Sequence, residues 1–324
     1  MDVSIILLTC NSGDTISECI DYIDISIKES KLLCELIIVD ANSLDNTLSI
    51  LKKKAIHTEM ISTEINDRSY SFNEGVSKAT GKYICRVDSR SLIPKEHIIK
   101  CFNFLEQNDG YFSVGGMMIP FNSNSKIECL YRNLISFGNS SFRHSKIDMN
   151  VDTVYLGFYK KSHFLDLGGY DTRSGFINEE TDLNFHAIKN GYNIRLLSDL
   201  KVKYITRNNF KDYLMTMRRY GAARSGFFIK NNKISLKLIL FFLFYILTFS
   251  NLILFSIKSE ILYLVITLIQ YSILYYFFMK SLRSNYLSVE LKKTFFLFFQ
   301  VILGHFNWIF GFISRLLTSK NKYN

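Results

Sequence analysis

Acidic side chains are nearly absent from the second part of the chain. Between residues 201 and 324 there are 18 Lys and Arg but only three Asp and Glu. That surplus of 15 positive charges, in a chain whose total is +10, leaves residues 1–200 at −5. A basic tail alone would suit nucleic acid, but this one also carries long uncharged runs, which point instead to an anionic membrane surface. No CxxC pair occurs among the six cysteines (10, 19, 34, 85, 101, 129). Several sit inside apolar stretches, where free cysteine behaves as a small hydrophobe, so reduced core thiols in a cytosolic compartment are expected. No signal peptide opens the chain: Asp2 follows Met1, and the apolar run 3–8 is too short for an h-region. The N-terminal domain is therefore expected to stay in the cytoplasm. No GxGxxG follows the first candidate strand, which argues against a nicotinamide-linked oxidoreductase.

What is present has a clear order. The apolar run Val3–Thr9 ends in Cys10-Asn11-Ser12-Gly13, a strand followed by a turn. Asp14 can then cap a segment whose Ile16, Ile20, Ile23 and Ile27 have helical spacing. Residues 36–39 read as a second buried strand closed by Asp40, and Asp45 precedes a short helix to Leu51. A third strand is expected at Glu59–Ser62, a helix at 73–80 ended by Gly81, and a further strand at 83–87. This alternation is the signature of βαβ units and a parallel sheet. In such sheets ligands bind beyond the carboxyl ends of the strands, where Thr9, Asn11, Asp40 and Asp88 all fall. Further on, a helix is expected at 95–107, a Gly115-Gly116 turn, a polar loop at 122–126, and the loop-like "SFGNSSFRHS". A strand at 151–159 and a helix at 181–189, ended by Asn190-Gly191, complete this part.

Composition changes after residue 233. Uncharged runs occupy 238–257, 261–279 and 294–314, and about 20 apolar residues cross a bilayer core as a helix. Arg218, Arg219, Arg224, Lys230, Lys233 and Lys237 precede the first run, which the positive-inside rule reads as a cytoplasmic side. Two spans would return the chain to the basic loop 280–293. A third crossing would carry Arg315, Lys320 and Lys322 outside, against the rule. The third run also holds Gly304, His305, Asn307 and Gly311, so two spans plus a third spanning, re-entrant or interfacial segment are expected. Domain 1–233 is thus followed by a membrane-anchoring region, 234–324.

Three acidic groups could carry chemistry. Glu179, Glu180 and Asp182 open the helix at 181–189, where acids complement the helix dipole or where one could serve as a general base. Asp40 could accept from a nucleobase or ribose, or close an Asx turn. Asp88 stands at a strand mouth in "RVDSR", with Arg90 where a second acid would complete a metal site.

Taken together these motifs resemble a family 2 glycosyltransferase with a GT-A fold, closest to the ExoA-type enzymes of succinoglycan biosynthesis. "LTCNSG" stands for the RNE-like turn, "IIVDANSLDNT" for VVDGxSxDxT, and "RVDSR" for RVDAH. "VDTVYLGFYKKSHFLDLGGYD" follows, then "NEETDLNFHAIKNG" for NEDxELNxR and "RRYG" for RYG. The likeness covers about residues 3–225. It implies an α/β, Rossmann-like nucleotide-diphospho-sugar transferase domain. It also implies that Thr9, Asn11 and Asp40 contact the uridine of a UDP-sugar, with Arg68, Asn73, Arg90, Arg219 and Tyr220 also in the donor site. Asp88 becomes the first acid of a DxD-type motif, near the ribose and a diphosphate-bound Mn2+ or Mg2+. Glu180 falls where the family's catalytic Asp sits and becomes the general base, supported by Glu179 and Asp182. Departures are Glu for Asp at 180, Thr216 in the glutamine place of a QxxRW motif, and Arg90. Arginine cannot ligate a divalent metal but can bond phosphate oxygens. The expected reaction is an inverting transfer to a lipid-linked saccharide at the cytoplasmic (inner) membrane, without nucleic acid and alongside other polysaccharide-assembly proteins. The alternative is a catalytically weak homologue that binds nucleotide sugar or scaffolds an assembly complex.

Overall fold

A computed structural model of the chain describes residues 1–54, 59–122, 125–132, 145, 147–172, 179–284 and 291–319. Most of the stretch "SFGNSSFRHS", part of the polar loop 122–126, Asn178, much of the basic loop 280–293, Lys320 and Lys322 lie outside the described residues, as does the Cys129 side chain. The chain forms two units: Met1–Phe121 with Ser140–Thr206, and Asn122–Asn139 with Arg207–Asn324.

The first unit begins as the hydrophobic pattern dictates. β1 (Val3–Thr9), β2 (Cys34–Asp40), β3 (Glu59–Ser62) and β4 (Tyr83–Asp88) are parallel neighbours in the order β3-β2-β1-β4. β1, β2 and β4 are largely apolar, as strands buried on both faces must be, while the short β3 is partly exposed. Between them run α1 (Ile16–Ser30), α2 (Thr47–Lys53) and α3 (Arg68–Lys78). α3 starts earlier than the pattern suggests because Asp67 caps it, accepting from the Tyr70 N–H at 2.9 Å.

Beyond β4 the sheet is mixed. It continues through β8 (Tyr155–Lys160), β6 (Tyr111–Phe121), β9 (Asn193–Ile205) and β5 (Ser91–Leu92), with β7 (Met149–Asn150) also on β9. β8 is antiparallel to β4 and β6, whereas β6 and β9 are parallel. The Gly115-Gly116 turn is therefore corrected: both glycines lie inside β6. They are there for close approach, since a Cβ would stand 2.9 Å from the Tyr155 carbonyl oxygen at Gly115 and 2.3 Å from that of Leu200 at Gly116. The strand expected at 151–159 is likewise corrected to β8 alone, because residues 151–154 are not in the ladder.

Alternation along β1 separates two cores. Val3, Ile5 and Leu7 pack with α1, α2 and α4 (His97–Gln107) on one face. Ile6 and Leu8 pack with α3, α6 (Lys161–Asp166) and α7 (Glu179–Lys189) on the other. Cys19, Cys85 and Cys101 are buried in the first core as free thiols. The α3–α7 face is the one that carries the acids of interest.

The second unit is helical: α5 (Ser125–Arg132), α8 (Phe210–Asn231), α9 (Leu236–Lys258), α10 (Ile261–Ser284) and α11 (Leu291–Ser319). It takes in α8, ahead of the expected 233/234 boundary, because α8 packs on α11. A Cβ on Gly221 would meet the Trp308 carbonyl oxygen at 1.9 Å, and one on Gly311 that of Arg218 at 2.0 Å. Segments Leu236–Lys258, Ile261–Lys280 and Thr294–Thr318 are each long and apolar enough to cross a membrane. The third is one continuous helix through Gly304, His305, Asn307 and Gly311, without the break a re-entrant loop needs. Its polar and small residues face neighbours: the His305 Nδ1 lies 2.7 Å from the Tyr245 Oη, as in packed helices within lipid. α10 leaves Leu262, Leu268, Ile269 and Ile273 exposed, as a lipid-facing surface would.

Candidate active site

The carboxyl ends of β1, β2 and β4 lie side by side, with Thr9 in register with Asp40 and Leu8 with Asp88. Loops leaving β1 and β2 are joined by hydrogen bonds from neutral donors, the Gly13 N–H donating to the Asp45 Oδ2 at 3.0 Å among them. Asn11, at φ +47°, accepts from the Leu44 N–H at 2.8 Å through its side chain, and its own N–H donates to the Ser43 hydroxyl at 2.8 Å. Ser12 donates its N–H to the Thr47 hydroxyl at 2.8 Å and shares a 2.7 Å hydroxyl contact with Ser89, at the mouth of β4. Asp40 is buried and accepts from the Ser43 N–H (2.9 Å) and hydroxyl (2.6 Å), an Asx turn that locks its carboxylate in place. The Thr9 hydroxyl is buried without a hydrogen-bond partner among the described residues, a polar group that a bound ligand could satisfy.

At β4 the strand-end carboxylate is met by a cation instead. Ile84, Arg86 and Asp88 share strand parity, so Arg86 enters the α3–α7 face; it is 2% exposed. Its Nε lies 2.9 Å from the Asp88 Oδ1 and its Nη2 3.4 Å from Oδ2. Nη2 also lies 2.9 Å from the Glu179 Oε1, and Nη1 3.5 Å from the Glu180 Oε1. Phe72 and Tyr170 set their rings 5.9 and 5.6 Å from the guanidinium, a contact that favours a cation. Burial alone would lower the Arg86 pKa, but Asp88, Glu180 and Glu179 outweigh it and keep the side chain charged.

Glu179 and Glu180 open α7, which Asn184 pins to the sheet. Its amide oxygen accepts from the Ser113 hydroxyl at 3.2 Å, and its Nδ2 donates to the Thr153 hydroxyl at 3.1 Å. Besides Arg86, the Gly157 N–H approaches the Glu180 Oε1 at 3.4 Å. The preceding residue, Leu156, takes the uncommon left-handed φ of +55°. Burial pushes the Glu180 carboxyl up, Arg86 pulls it down, and Glu179 and Asp88 push it up again, leaving it at about 7. A carboxyl so poised exchanges a proton near neutrality, as a general base must. Asp88 goes the other way: burial would raise it, but Arg86 and Arg68 hold it below the usual carboxylate range.

The other expected residues divide. Arg68, on α3, is half exposed with Nη1 3.8 Å from the Asp88 Oδ2. The Arg90 guanidinium, half-buried, has no ion pair among the described residues. Both ends of the Asn73 amide are taken by the Tyr170 backbone, at 2.8 and 3.0 Å, so this residue braces the Gly168-Gly169 turn. Asp182 is buried, with the His186 Nε2 3.8 Å from its Oδ1. Arg219 and Tyr220 lie on α8, in the second unit, as does Thr216, whose hydroxyl donates to the Asp212 carbonyl at 2.8 Å. As for a divalent cation at Asp88, the residues do not fit one. No group of three His, Cys, Asp or Glu side chains is set to hold a metal among the described residues, and Arg86 faces both Asp88 oxygens. Arg86 itself was not among the expected site residues. Its signal was an Arg two places before the strand-end acid, on the same face, inside an otherwise apolar run.

The chain is similar to known transferases. The family described as Glycosyl transferase family 2 matches residues 4–166. A Methanococcus voltae protein named dolichyl N-acetyl-alpha-D-glucosaminyl phosphate 3-beta-D-2,3-diacetamido-2,3-dideoxy-beta-D-glucuronosyltransferase is 27% identical over 251 residues, covering 70% of this chain and 75% of that one. A poly(ribitol-phosphate) beta-glucosyltransferase of Bacillus spizizenii is 33% identical over 120 residues, 36% of this chain and 19% of its own. The crystal structure of S. aureus TarS aligns with a TM-score of 0.48 at 18% identity, over 97% of this chain; the chain spans 55% of that one. With the strand-end acids of β2 and β4 on one edge of an α/β sheet and the family match covering β1 through α6, the chain belongs to glycosyl transferase family 2, the transferases of glycan synthesis.

Proposed function

We propose that this transferase is inverting and moves a sugar from a UDP-sugar to a lipid-linked saccharide, at the cytoplasmic face of the inner membrane. The observation that carries the reading is the Glu180 carboxylate, held among the described residues through Oε1 and poised near neutrality in the same charge cluster as Asp88. In the proposed reaction Glu180 takes the proton of the acceptor hydroxyl as that oxygen attacks the anomeric carbon. The bond from that carbon to the diphosphate breaks, UDP leaves, and the configuration inverts. No enzyme nucleophile is needed. Thr9, Asn11 and Asp40 hold the uridine end, while Asp88 faces the ribose. Arg68 and Arg90 supply positive charge to the departing diphosphate, the preorganised electrostatic contribution that often dominates such catalysis. Glu179 supports the base from the same helical turn, and Asp182 from within it. A divalent cation, where one binds with the donor, would neutralise the diphosphate; no step here runs through it. The three apolar helices support a membrane-bound acceptor, and the basic residues before α9 support the sidedness.

The test is mass-spectrometric identification of product after incubating the detergent-solubilised protein and membranes with a panel of UDP-sugars. A glycosylated lipid, lost in Glu180→Gln, is the expected result. UDP binding with neither transfer nor hydrolysis of any donor would favour a second reading, a nucleotide-sugar-binding homologue. That reading draws on Glu rather than Asp at 180, since one extra methylene displaces the base.

A further inference from the structure

We infer that Arg86 is a positioning residue, holding the base Glu180 and the donor-side acid Asp88 at a fixed separation through a single guanidinium. The inference rests on the reading of Glu180 as the base and adds what keeps it in place.

Four features point to it. The Nε–Nη2 edge faces Asp88 at 2.9 and 3.4 Å, a side-on fork. Nη2 also reaches Glu179 at 2.9 Å, next to Glu180 in the first turn of α7. Nη1 is buried without a hydrogen bond among the described residues and lies 3.5 Å from the Glu180 Oε1. A small approach of that carboxylate would complete the bond. Finally, the fork is rigid from behind: Arg86 sits on β4 in register with Ile6 of β1, and Phe72 and Tyr170 press on its guanidinium. Those rings are braced in turn, because Asn73 holds the Tyr170 backbone and the Tyr159 and Tyr170 hydroxyls meet at 3.0 Å.

A buried arginine is a costly way to stabilise a fold, because desolvation offsets much of the attraction to its partners. Its planar fork does what a point charge cannot: it fixes the directions of several carboxylates at once. A residue that only balanced charge would be replaceable by lysine, or removable together with one of its acids. A positioning residue would not.

The experiment compares Arg86→Lys with the charge-balanced double variant Arg86→Gln/Glu179→Gln. Both are made in the full chain in detergent and checked for folding by thermal unfolding with and without UDP. UDP binding is measured by calorimetry, and kcat and KM on the donor that the UDP-sugar panel identifies. Both variants are expected to bind UDP within about threefold of wild type, while kcat falls about tenfold in the lysine variant and further in the double one, as misplaced catalytic groups cost rate rather than affinity. A kcat within about threefold of wild type in either folded variant overturns the inference, as does a raised KM at unchanged kcat, which would assign Arg86 to donor binding. Should the double variant not fold, the lysine variant decides alone, since it keeps the charge and the alkyl stem. Glu180→Gln separates the two readings. If it retains full kcat, the base assignment fails and this inference with it. If it is inactive while Arg86→Lys is fully active, only this inference fails.

Discussion

At the ends of β1 and β2 the loops are joined through neutral donors, with the Asp40 carboxylate held by Ser43, Asn11 by Leu44 and Ser43, and Ser12 by Thr47 and Ser89. One strand along, the end of β4 is held by charge, with Arg86 between Asp88, Glu179 and Glu180. The two regions share a sheet edge yet answer to different variables. Most of the first set join backbone, amide and hydroxyl groups, which do not titrate near neutrality. A buried cluster of one arginine and three carboxylates depends on which of them carry protons. The difference suits a division of labour, a nucleotide end that need only fit and a reacting end that must move a proton.

The sharpest way to test that division is Glu180→Gln. Loss of a general base is expected to lower kcat about 10²- to 10⁴-fold, while UDP affinity, measured by calorimetry, stays put because the neutral loops are untouched. A parallel loss of UDP affinity would show the two regions to be one.

Next in size is pH. With Glu180 at about 7, kcat/KM is expected to fall about tenfold per unit below that pH, with UDP binding level across the same range. Stability carries the matching signature. The folded pKa of Glu180 lies above its ordinary 4.5, so its contribution is full below 4.5 and is lost as pH rises through about 7. Asp88, held below its ordinary 3.8, contributes above that value and loses it on further acidification. Thermal midpoints from pH 4.5 to 7 should therefore decline more steeply in wild type than in Glu180→Gln. Identical slopes would remove the special environment claimed for Glu180.

Ser43→Ala acts on the neutral side. It strips the buried Asp40 of its hydroxyl partner and is expected to cost about 1–3 kcal/mol of stability, read from urea unfolding, and to raise the donor KM without touching kcat. The smallest effect is expected from chelation. Because Arg86 already faces both Asp88 oxygens, EDTA should change UDP affinity by less than about threefold, a fixed guanidinium serving there in place of a mobile ion. A larger change would show that Asp88 turns from Arg86 to a cation once the donor is bound.

Much of this frame could be read from residues alone. β1, β2 and β4 are largely apolar runs ending in Thr or Asp, and a buried parallel sheet has little other way to be written. The place of Thr9, Asp40 and Asp88 at strand ends was legible because each closes an apolar run. β9 escaped notice because "NIRLLSDLKVKYI" mixes charged and apolar residues along a partly exposed strand. The glycines of β6 looked like a turn because a one-dimensional pattern shows the missing side chain but not the strand pressed against it. Arg86 was hidden for a related reason. Local pattern ranks an arginine as a surface residue, and only the third dimension brings α7, nearly a hundred positions later, to its guanidinium. Asn73 ran the other way: a polar residue near the site, its amide is wholly occupied by backbone.

The glycine contacts between α8 and α11 act as a depth gauge. Gly221 sits against the Trp308 carbonyl oxygen and Gly311 against that of Arg218, with Tyr213 beside Gly304 and Phe228 beside Phe312, so the two backbones meet closely at one crossing. Sliding one along the other, at about 1.5 Å per residue, would bring side chains onto carbonyl oxygens that now tolerate only hydrogen. The helices are thereby keyed at one setting. Arg218, Arg219 and Tyr220, immediately before Gly221, keep a constant level relative to the apolar stretch of α11, whatever the bilayer around it does.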